Sequence, residues 1–239
     1  MRRAGLLTAE AGVFLLALWA APRLEPLWHA LFPEVARPAY VAEPWFVLLG
    51  NHLALACGAM GVAAVLGIGA GIAAARRPEA RSALDGVFAL AQAVPPVAVI
   101  ALSLPVLGFG AAPTLLALAL YAALPMLRAT AAGLAAIPPD VAEAARGLGM
   151  GPWRRLQEVE LPLAAPVILS GLRVAAALSV ATAAIGAVAG ARCLGSPIIL
   201  GLANGNPAYV LQGALFTAWL ALLVDRALGL IGAGREAGA

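Results

Sequence analysis

The chain has 239 residues, of which 63% are hydrophobic and 11% are charged, and its mean hydropathy is +0.94. Soluble domains carry about 25% charged residues, so an ordinary soluble domain and a disordered chain are both excluded. The formal net charge is +3, and all 15 basic residues are arginines. Because lysine is absent, a phosphate-binding P-loop and a lysine Schiff base are excluded as well.

Six apolar runs follow one another along the chain, and a bilayer-spanning helix needs about 20 such residues. The runs are 4–21, 46–75, 84–107, 114–132, 163–189 and 209–231. The first run follows Arg2 and Arg3 as in a signal peptide, but we expect an uncleaved span because more spans and no secreted domain come after it. Pro95 and Pro96 lie inside the third run, where we expect a kink.

Two of the connecting segments, 22–43 and 190–208, are expected to be loops. The first has Trp28 and Tyr40 near its ends, and such rings favour the membrane interface. The second is rich in the turn formers Gly, Asn and Pro. Gly67 and Gly71 form a G-x-x-x-G pattern, which indicates close helix packing.

The distribution of arginine predicts the orientation. With six spans and a cytoplasmic N-terminus, eleven arginines fall on the cytoplasmic side, and Arg173 lies within the fifth run. Only three fall outside, at Arg23, Arg37 and Arg192. Because cytoplasmic loops carry an excess of Lys and Arg, we expect both termini to be cytoplasmic.

The segment between the fourth and fifth runs is the largest cytoplasmic loop. Asp140 is placed to cap a helix, and good helix formers follow it. Gly147, Gly149 and Gly151 end that helix with a turn, and a second short helix is expected from Trp153 to Glu160. The sequence therefore predicts a helix–turn–helix at the cytoplasmic face, with small alanine side chains that allow another protein to approach closely.

This loop contains a pattern that resembles the "EAA" signature of ABC-importer permeases, E-A-A-x3-G-x9-I-x-L-P. The six matching residues are Glu143, Ala144, Ala145, Gly149, Leu161 and Pro162, and Val159 replaces the isoleucine. The resemblance covers about residues 51–229 and is greatest to permeases for glycine betaine, choline and related osmoprotectants. It also rests on Asn51-His52-Leu53, on 120–128, on 159–168, on Gly171-Leu172-Arg173 and on the segment from Gly213-Ala214 to Asp225.

The resemblance implies an all-α integral membrane protein with the fold of methionine-type importers and about six spans: a five-helix core and an N-terminal helix. The corresponding divisions are an N-terminal helix and external loop at 1–45, a permease core at 46–233 with its coupling loop at 138–162, and a polar tail at 234–239. Such permeases usually read G-A-G-G-L-G after the fifth span, whereas Arg192 and Cys193 replace two of these glycines here.

The resemblance further implies a multi-pass protein of the cytoplasmic (inner) membrane that has no ATPase of its own and binds no cofactor. ATP and Mg would be bound by two copies of a separate ATP-binding cassette subunit. The other expected partners are a second permease chain, identical or not, an extracytoplasmic substrate-binding protein and membrane lipid, with no nucleic acid. The motif residues would couple ATP hydrolysis to transport, and Arg146, Arg154 and Arg155 are candidate contacts of the ATPase.

Three further residues, Tyr121, His52 and Arg173, are candidates for the translocation path. For each, a structural role is the preferred interpretation: local packing for Tyr121, an interfacial position for His52, and snorkelling to the cytoplasmic edge for Arg173. Asp225 and Arg226 are expected to form an end-of-span pair.

Other interpretations remain open at this point. The cargo of an ABC permease could instead be an amino acid, methionine or an oxyanion. An ion-coupled secondary transporter would need buried acids along a path, whereas Asp85 and Asp225 lie near cytoplasmic edges. A membrane enzyme lacks support, because no nucleophile, metal or phosphate signature is present and no metal is expected. Cys57 and Cys193 allow one disulfide, but two small buried thiols are expected.

Overall fold

The structure is a computed structural model that describes residues 2–236. Within this range the chain forms α-helices and short 3-10 and π turns, with no strand. The helices are α1 (Arg2–Ala20), α2 (Glu25–Leu31), α3 (Trp45–Arg76), α4 (Pro78–Ala93), α5 (Pro96–Leu107), α6 (Ala111–Ala135), α7 (Pro139–Gly147), α8 (Pro152–Arg155), α9 (Leu161–Ala183), α10 (Ser196–Ala203) and α11 (Pro207–Glu236).

Five stretches are long and apolar enough to cross a membrane: α1, α3, α6, α11 and the continuous stretch Pro152–Ala189. A sixth candidate is the pair α4–α5, which is bent by 90°. The bend has a local cause, because a residue that precedes proline avoids the helical region. Val94 and Pro95 each precede a proline, and both have extended backbones with ψ of 124° and 139°. The predicted all-α class and the break at Pro95-Pro96 are confirmed.

The bent pair carries the chain back across the bundle. Gly58 of α3 lies beside Leu115 of α6, and Gly71 lies beside Thr130, so these two helices run parallel. The chain therefore leaves α3 at one end of the bundle and enters α6 at the other end, and α4–α5 must connect the two. Residues 4 and 230 consequently lie at the same end of the bundle as the 136–160 segment.

Glycines bring α3, α6 and α9 into close contact. A Cβ atom on Gly67 would lie 2.4 Å from Cβ of Met126, and one on Gly71 would lie 2.5 Å from Cβ of Thr130. On the other side of α6, a Cβ on Gly171 would lie 2.3 Å from Cβ of Ala129. The G-x-x-x-G pattern therefore serves helix packing, as predicted.

At the opposite end, aromatic residues attach α1 to α3 and α11. Phe14 packs edge-to-face on Trp219, and Trp45 packs on Phe216 with ring centroids 4.7 Å apart. Tyr40 is buried between this cluster and Gln212, whose side-chain oxygen accepts a hydrogen bond from the Tyr40 amide at 3.2 Å. Desolvation, with a further contribution from Glu43, raises the pKa of the Tyr40 hydroxyl to about 12.

Both segments that we expected to be loops contain a helix, which corrects the sequence analysis. In each case a proline occupies the first turn, where its missing N–H costs nothing. The helix α10 is held against α11 at Gly213, where a Cβ would lie 2.7 Å from a side-chain carbon of Ile198. Packing against α11 thus stabilises a helix in a segment whose glycine and asparagine content favours a loop.

The expected pair of Asp225 with Arg226 is wrong, because each residue binds a different helix. Arg173 of α9 donates to Asp225 at 3.1 Å, whereas Arg226 pairs with Glu10 of α1. Neighbours on a helix point about 100° apart, so they reach different partners. The expectation of two buried thiols is also only half correct: both cysteines are free, but Cys57 is exposed and Cys193 is buried.

Candidate functional site

The helix α7 begins at a double proline. Pro138 has an extended backbone with ψ of 136°, and Pro139 occupies the first helical position, where the fixed φ of proline suits a helix. Asp140 lies in the first turn and makes no capping hydrogen bond. The predicted Asp140 cap is therefore wrong, because the prolines start the helix two residues earlier. The Asp140 carboxylate still lies in the first turn, where a negative charge is stabilised by the helix dipole.

The end of α7 depends on Gly149, which has φ of +74°. The amide of Gly149 donates to the carbonyl of Arg146 at 2.9 Å, and the amide of Met150 donates to that of Ala145 at 3.1 Å. This pair of hydrogen bonds is a Schellman motif, which needs a left-handed residue at the glycine position. The glycine of the signature therefore closes the helix and turns the chain.

The signature residues of α7 are divided between two environments. Ala145 is 4% exposed and packs against the bundle, whereas Glu143, Ala144 and Arg146 are exposed. Two large apolar side chains lie beside them in the open: Leu148 is 83% exposed and Trp153 is 68% exposed. Sequence reasoning missed these two as contact candidates, although a tryptophan and a leucine in the most polar loop were a usable signal.

The second half of the signature lies in a helix that continues into the membrane. The chain passes from α8 through a π turn at Leu156–Glu160 directly into α9, where the amide of Leu161 donates to the carbonyl of Leu156. Pro162 has no N–H to donate, and a π turn accommodates such a defect. The expected short helix at Trp153–Glu160 is therefore the first part of the fifth span, with Leu161 half-buried and Pro162 exposed.

The three arginines that we considered as ATPase contacts differ in their surroundings. Arg155 pairs with Glu160 at 2.7 Å with 18% of its side chain exposed, and Arg76 joins the same carboxylate at 3.4 Å. Arg154 is exposed and pairs with Glu158 at 2.9 Å. Arg146 makes no ion pair with any described side chain. Glu160 thus connects Arg155 of α8 with Arg76 of α3, while Arg146 remains available to a partner.

The structure does not bring the three path candidates together. His52 is completely buried, and its Nε2 lies 2.9 Å from the carbonyl oxygen of Val180, so it joins α3 to α9 and is not interfacial. Arg173 of α9 pairs with Asp225 of α11, towards the end of the bundle that holds α7. Tyr121 is half-buried in the middle of α6. The side chain of Gln92 donates at 2.6 Å to the Tyr121 carbonyl, which the amide-less Pro125 four residues later leaves open.

At the other end of the bundle, Arg192 and Cys193 occupy very different places. Arg192 is exposed and pairs with Glu43, which precedes α3. Cys193 is completely buried, its Sγ lies 3.4 Å from the carbonyl oxygen of Ala183, and burial raises the pKa of its thiol. Arg192 therefore adds a charge to the exposed surface at this end, whereas Cys193 fills space in the core.

Residues 65–235 match the family described as "Binding-protein-dependent transport system inner membrane component". The chain belongs to this family. It is an integral membrane permease subunit of an ABC importer.

Two relatives of this permease are named for their cargo. The chain is 41% identical over 185 residues to the osmoprotectant import permease protein OsmY of Salmonella typhimurium, covering 76% of this chain and 78% of the relative. It is 31% identical over 181 residues to the glycine betaine/carnitine/choline transport system permease protein OpuCB of Bacillus subtilis, covering 76% and 83%.

The fold of the permease is also found in a solved structure. A chain of the MetNI methionine ABC transporter in an inward-facing conformation superposes with a TM-score of 0.70 at 21% identity, and the match covers 81% of this chain and 99% of that chain. The expected likeness to methionine-type importers is confirmed at the level of the fold. Within the described residues, no group of three or more His, Cys, Asp or Glu side chains could hold a metal ion.

Proposed function

We propose that this permease imports a small quaternary-ammonium osmoprotectant, such as glycine betaine, and that α7 is the helix through which an ATP-binding subunit drives it. One observation carries the coupling role. The first signature residues lie on a short helix at one end of the bundle, which ends in a Schellman motif, and a four-residue turn joins it to the continuous stretch of α8 and α9. A movement imposed on α7 is therefore passed directly to a membrane-crossing helix.

The surface of α7 suits a docking partner. Glu143 and Arg146 offer opposite charges, and Ala144 between them lets a partner backbone approach closely. Leu148 and Trp153 add apolar area that a single chain leaves uncovered. Buried aromatic and aliphatic anchors carry most of the binding energy in protein interfaces, while charges fix the orientation.

The distribution of arginine supports a cytoplasmic position for this surface. Arginines are concentrated at one end of the bundle. This end holds α7, the start of α1 and the end of α11. The opposite end carries Arg23, Arg37 and Arg192. The excess of arginine on cytoplasmic loops supports cytoplasmic termini and an external surface around α2 and α10 for a substrate-binding protein.

Transport would follow the alternating-access scheme. ATP and Mg would be bound by two ATP-binding subunits, whose closure moves two α7 helices towards each other. Two permease chains, identical or not, would then rock between inward-open and outward-open states. One chain encloses only half of a pathway, which supports a pair.

The cargo is proposed from the relatives, which are named for osmoprotectants, glycine betaine, carnitine and choline. A quaternary ammonium is attracted by aromatic faces, and the aromatic candidate within a membrane-spanning helix, Tyr121, is half-buried. A strong aromatic cage is therefore expected in the binding protein. His52 and Arg173 are better explained as helix-joining residues than as path residues.

A charge reversal on α7 tests the coupling role. Glu143→Arg should leave membrane insertion unchanged but lower co-purification of the ATP-binding subunit, and ATP-dependent glycine betaine uptake, by at least tenfold. Glu79→Arg is a matched reversal of an exposed glutamate in the first turn of α4 and should change neither by more than twofold. Normal uptake by Glu143→Arg would refute the coupling role, whereas normal assembly without any glycine betaine uptake in the wild type would refute the cargo.

A further inference from the structure

A polar groove runs along the helices α4, α6 and α9, and no family signature accounts for it. It consists of two neighbouring cavities of about 500 and 370 Å³ that share Arg128 of α6 as a wall. The first also has Arg81 and Asp85 of α4 in its wall, and the second has Gln92 of α4 and Ser170 of α9. The groove opens on the surface of the single chain.

A bidentate ion pair lies at the junction of the two cavities. Nε of Arg128 donates to Oδ1 of Asp85 at 2.8 Å, and Nη2 donates to Oδ2 at 3.2 Å. The two side chains remain 56% and 42% exposed, so a solute can reach them. Arg81 lies one turn before Asp85 and brings the groove to two positive charges and one negative charge.

Asp85 and Arg128 lie on candidate membrane-crossing helices, towards the end of the bundle that holds α7. Arg128 is seven residues from the end of α6 at Ala135, and Asp85 is seven residues from the start of α4 at Pro78, so each lies about 10 Å from a helix end. Charged side chains at such depth face the interior of a bundle or a water-filled cavity, because lipid exposure is costly. The groove therefore faces the pathway or the second permease chain.

We propose that this groove binds the transported solute in the membrane and selects zwitterions that carry both a carboxylate and a quaternary ammonium. The inference rests on the proposed function, because it specifies the cargo of the same importer. The solute carboxylate takes the place of Asp85 on the guanidinium of Arg128, where a bidentate contact matches its geometry. Asp85, released from Arg128, then faces the quaternary ammonium.

The charge balance disfavours a plain cation. A zwitterion replaces one ion pair by two and leaves the net charge of the groove unchanged. Choline has the ammonium but no carboxylate, so binding it to Asp85 would leave Arg128 and Arg81 unpaired beside a further positive charge. A further uncompensated positive charge beside two arginines is unfavourable, which gives discrimination.

Two other polar groups of the groove are already engaged. The side-chain amide of Gln92 donates to the Tyr121 carbonyl at 2.6 Å, and the hydroxyl of Ser170 donates to the carbonyl of Val167 at 2.6 Å. The first bond joins α4 to α6, and the second lies within α9. The exchangeable contacts are thus those of Asp85 and Arg128.

The first test uses the complete transporter in proteoliposomes, with binding protein and ATP, and compares labelled glycine betaine with labelled choline. In the wild type, glycine betaine should enter at least tenfold faster than choline when each saturates the binding protein. The double variant Asp85→Asn/Arg128→Gln keeps a neutral, hydrogen-bonding pair and should lower glycine betaine uptake at least tenfold. Arg77→Gln, an exposed arginine at the same end of the bundle, is the control and should stay within twofold of the wild type.

A second measurement separates solute binding from folding. Glycine betaine should raise the melting temperature of the detergent-purified permease–ATPase complex without binding protein, because a ligand of the folded state stabilises it. Choline should raise it less, and the double variant, whose melting temperature without solute reports its folding, should show no rise. Equal uptake by a folded double variant, or no rise in the wild type, would overturn the inference.

The two proposals fail in different ways. A wild-type complex that imports choline but not glycine betaine would overturn the zwitterion site and leave the importer of quaternary-ammonium solutes standing. A complex that imports neither solute would overturn the proposed cargo and the groove site together.

Discussion

Gly149 illustrates how the backbone preference of one residue determines the shape of a docking surface. Its φ of +74° lies in the left-handed region, which costs other residues about 1–2 kcal/mol. The hydrogen bonds at this turn satisfy carbonyls that the end of α7 would otherwise leave free. Leu148 and Met150 on either side take their directions from this turn.

Gly149→Ala should therefore weaken the turn by about 1–2 kcal/mol and lower co-purification of the ATP-binding subunit. Faster hydrogen exchange at the Met150 amide, which donates to Ala145, would report the opened turn. Gly147→Ala is the matched control, because Gly147 is helical and a Cβ there would have no neighbour within 4 Å. Equal exchange at Met150 in both variants would contradict the role of the left-handed turn.

At the residue scale, local patterns were predictable and distant pairings were not. The glycine-ended helix followed from spacing within ten residues of sequence. The pairs Arg226–Glu10 and Arg173–Asp225 could not be predicted in this way, because 216 and 52 residues separate the partners. Arg128 with Asp85, separated by 43 residues, was missed in the same way. Only the packing of helices brings such charges together.

Among the elements, α3 and α6 are joined by their small residues. Gly67 and Gly71 lie against Met126 and Thr130, at distances that leave no room for another methyl group. Gly69 lies on the opposite face, where a Cβ would have no neighbour within 4 Å. The same short segment of α3 thus offers crowded and open positions side by side.

We expect Gly67→Ala to push α3 from α6 and to destabilise the permease by about 1–3 kcal/mol, as overpacking usually does. Gly69→Ala should be neutral or slightly stabilising, because alanine is the better helix former. Thermal unfolding of the purified complex in detergent measures both. A Gly67→Ala variant as stable as Gly69→Ala would show that the contact is looser than the structure indicates.

The elements that sequence reasoning missed are short or bent. Hydropathy located all six apolar runs, because spans need long stretches of one composition. It could not foresee α2 or α10, whose seven and eight residues are stabilised by contacts with the bundle. The two prolines predicted a kink at Pro95-Pro96, but the size of the bend depends on packing against α6.

For the whole molecule, the decisive geometric fact is that residues 4 and 230 share an end with α7. Six passes through the bundle produce this arrangement, and arginine asymmetry indicates which side is cytoplasmic. Asn204 at the end of α10 and Arg146 on α7 are both exposed and mark the two ends.

Cysteine labelling tests this topology in a variant without native cysteines. Asn204→Cys should react with an impermeant maleimide added to intact cells, and Arg146→Cys should react only after the membrane is opened. The unmodified cysteine-free protein supplies the background. Labelling of Arg146→Cys in intact cells would reverse the orientation and remove α7 from the reach of a cytoplasmic ATPase.

The right-angled α4–α5 segment also has a consequence for the lipid around it. The two arms have 16 and 12 residues and are roughly 24 and 18 Å long. If both arms are equally inclined, they together cover about 30 Å along the membrane normal, which is close to the thickness of the hydrocarbon layer. A small change in the elbow angle alters that height without tilting the glycine-packed α3, α6 and α9. Hydrophobic mismatch can thus be absorbed at a single joint, and the permease should tolerate bilayers of different acyl-chain length.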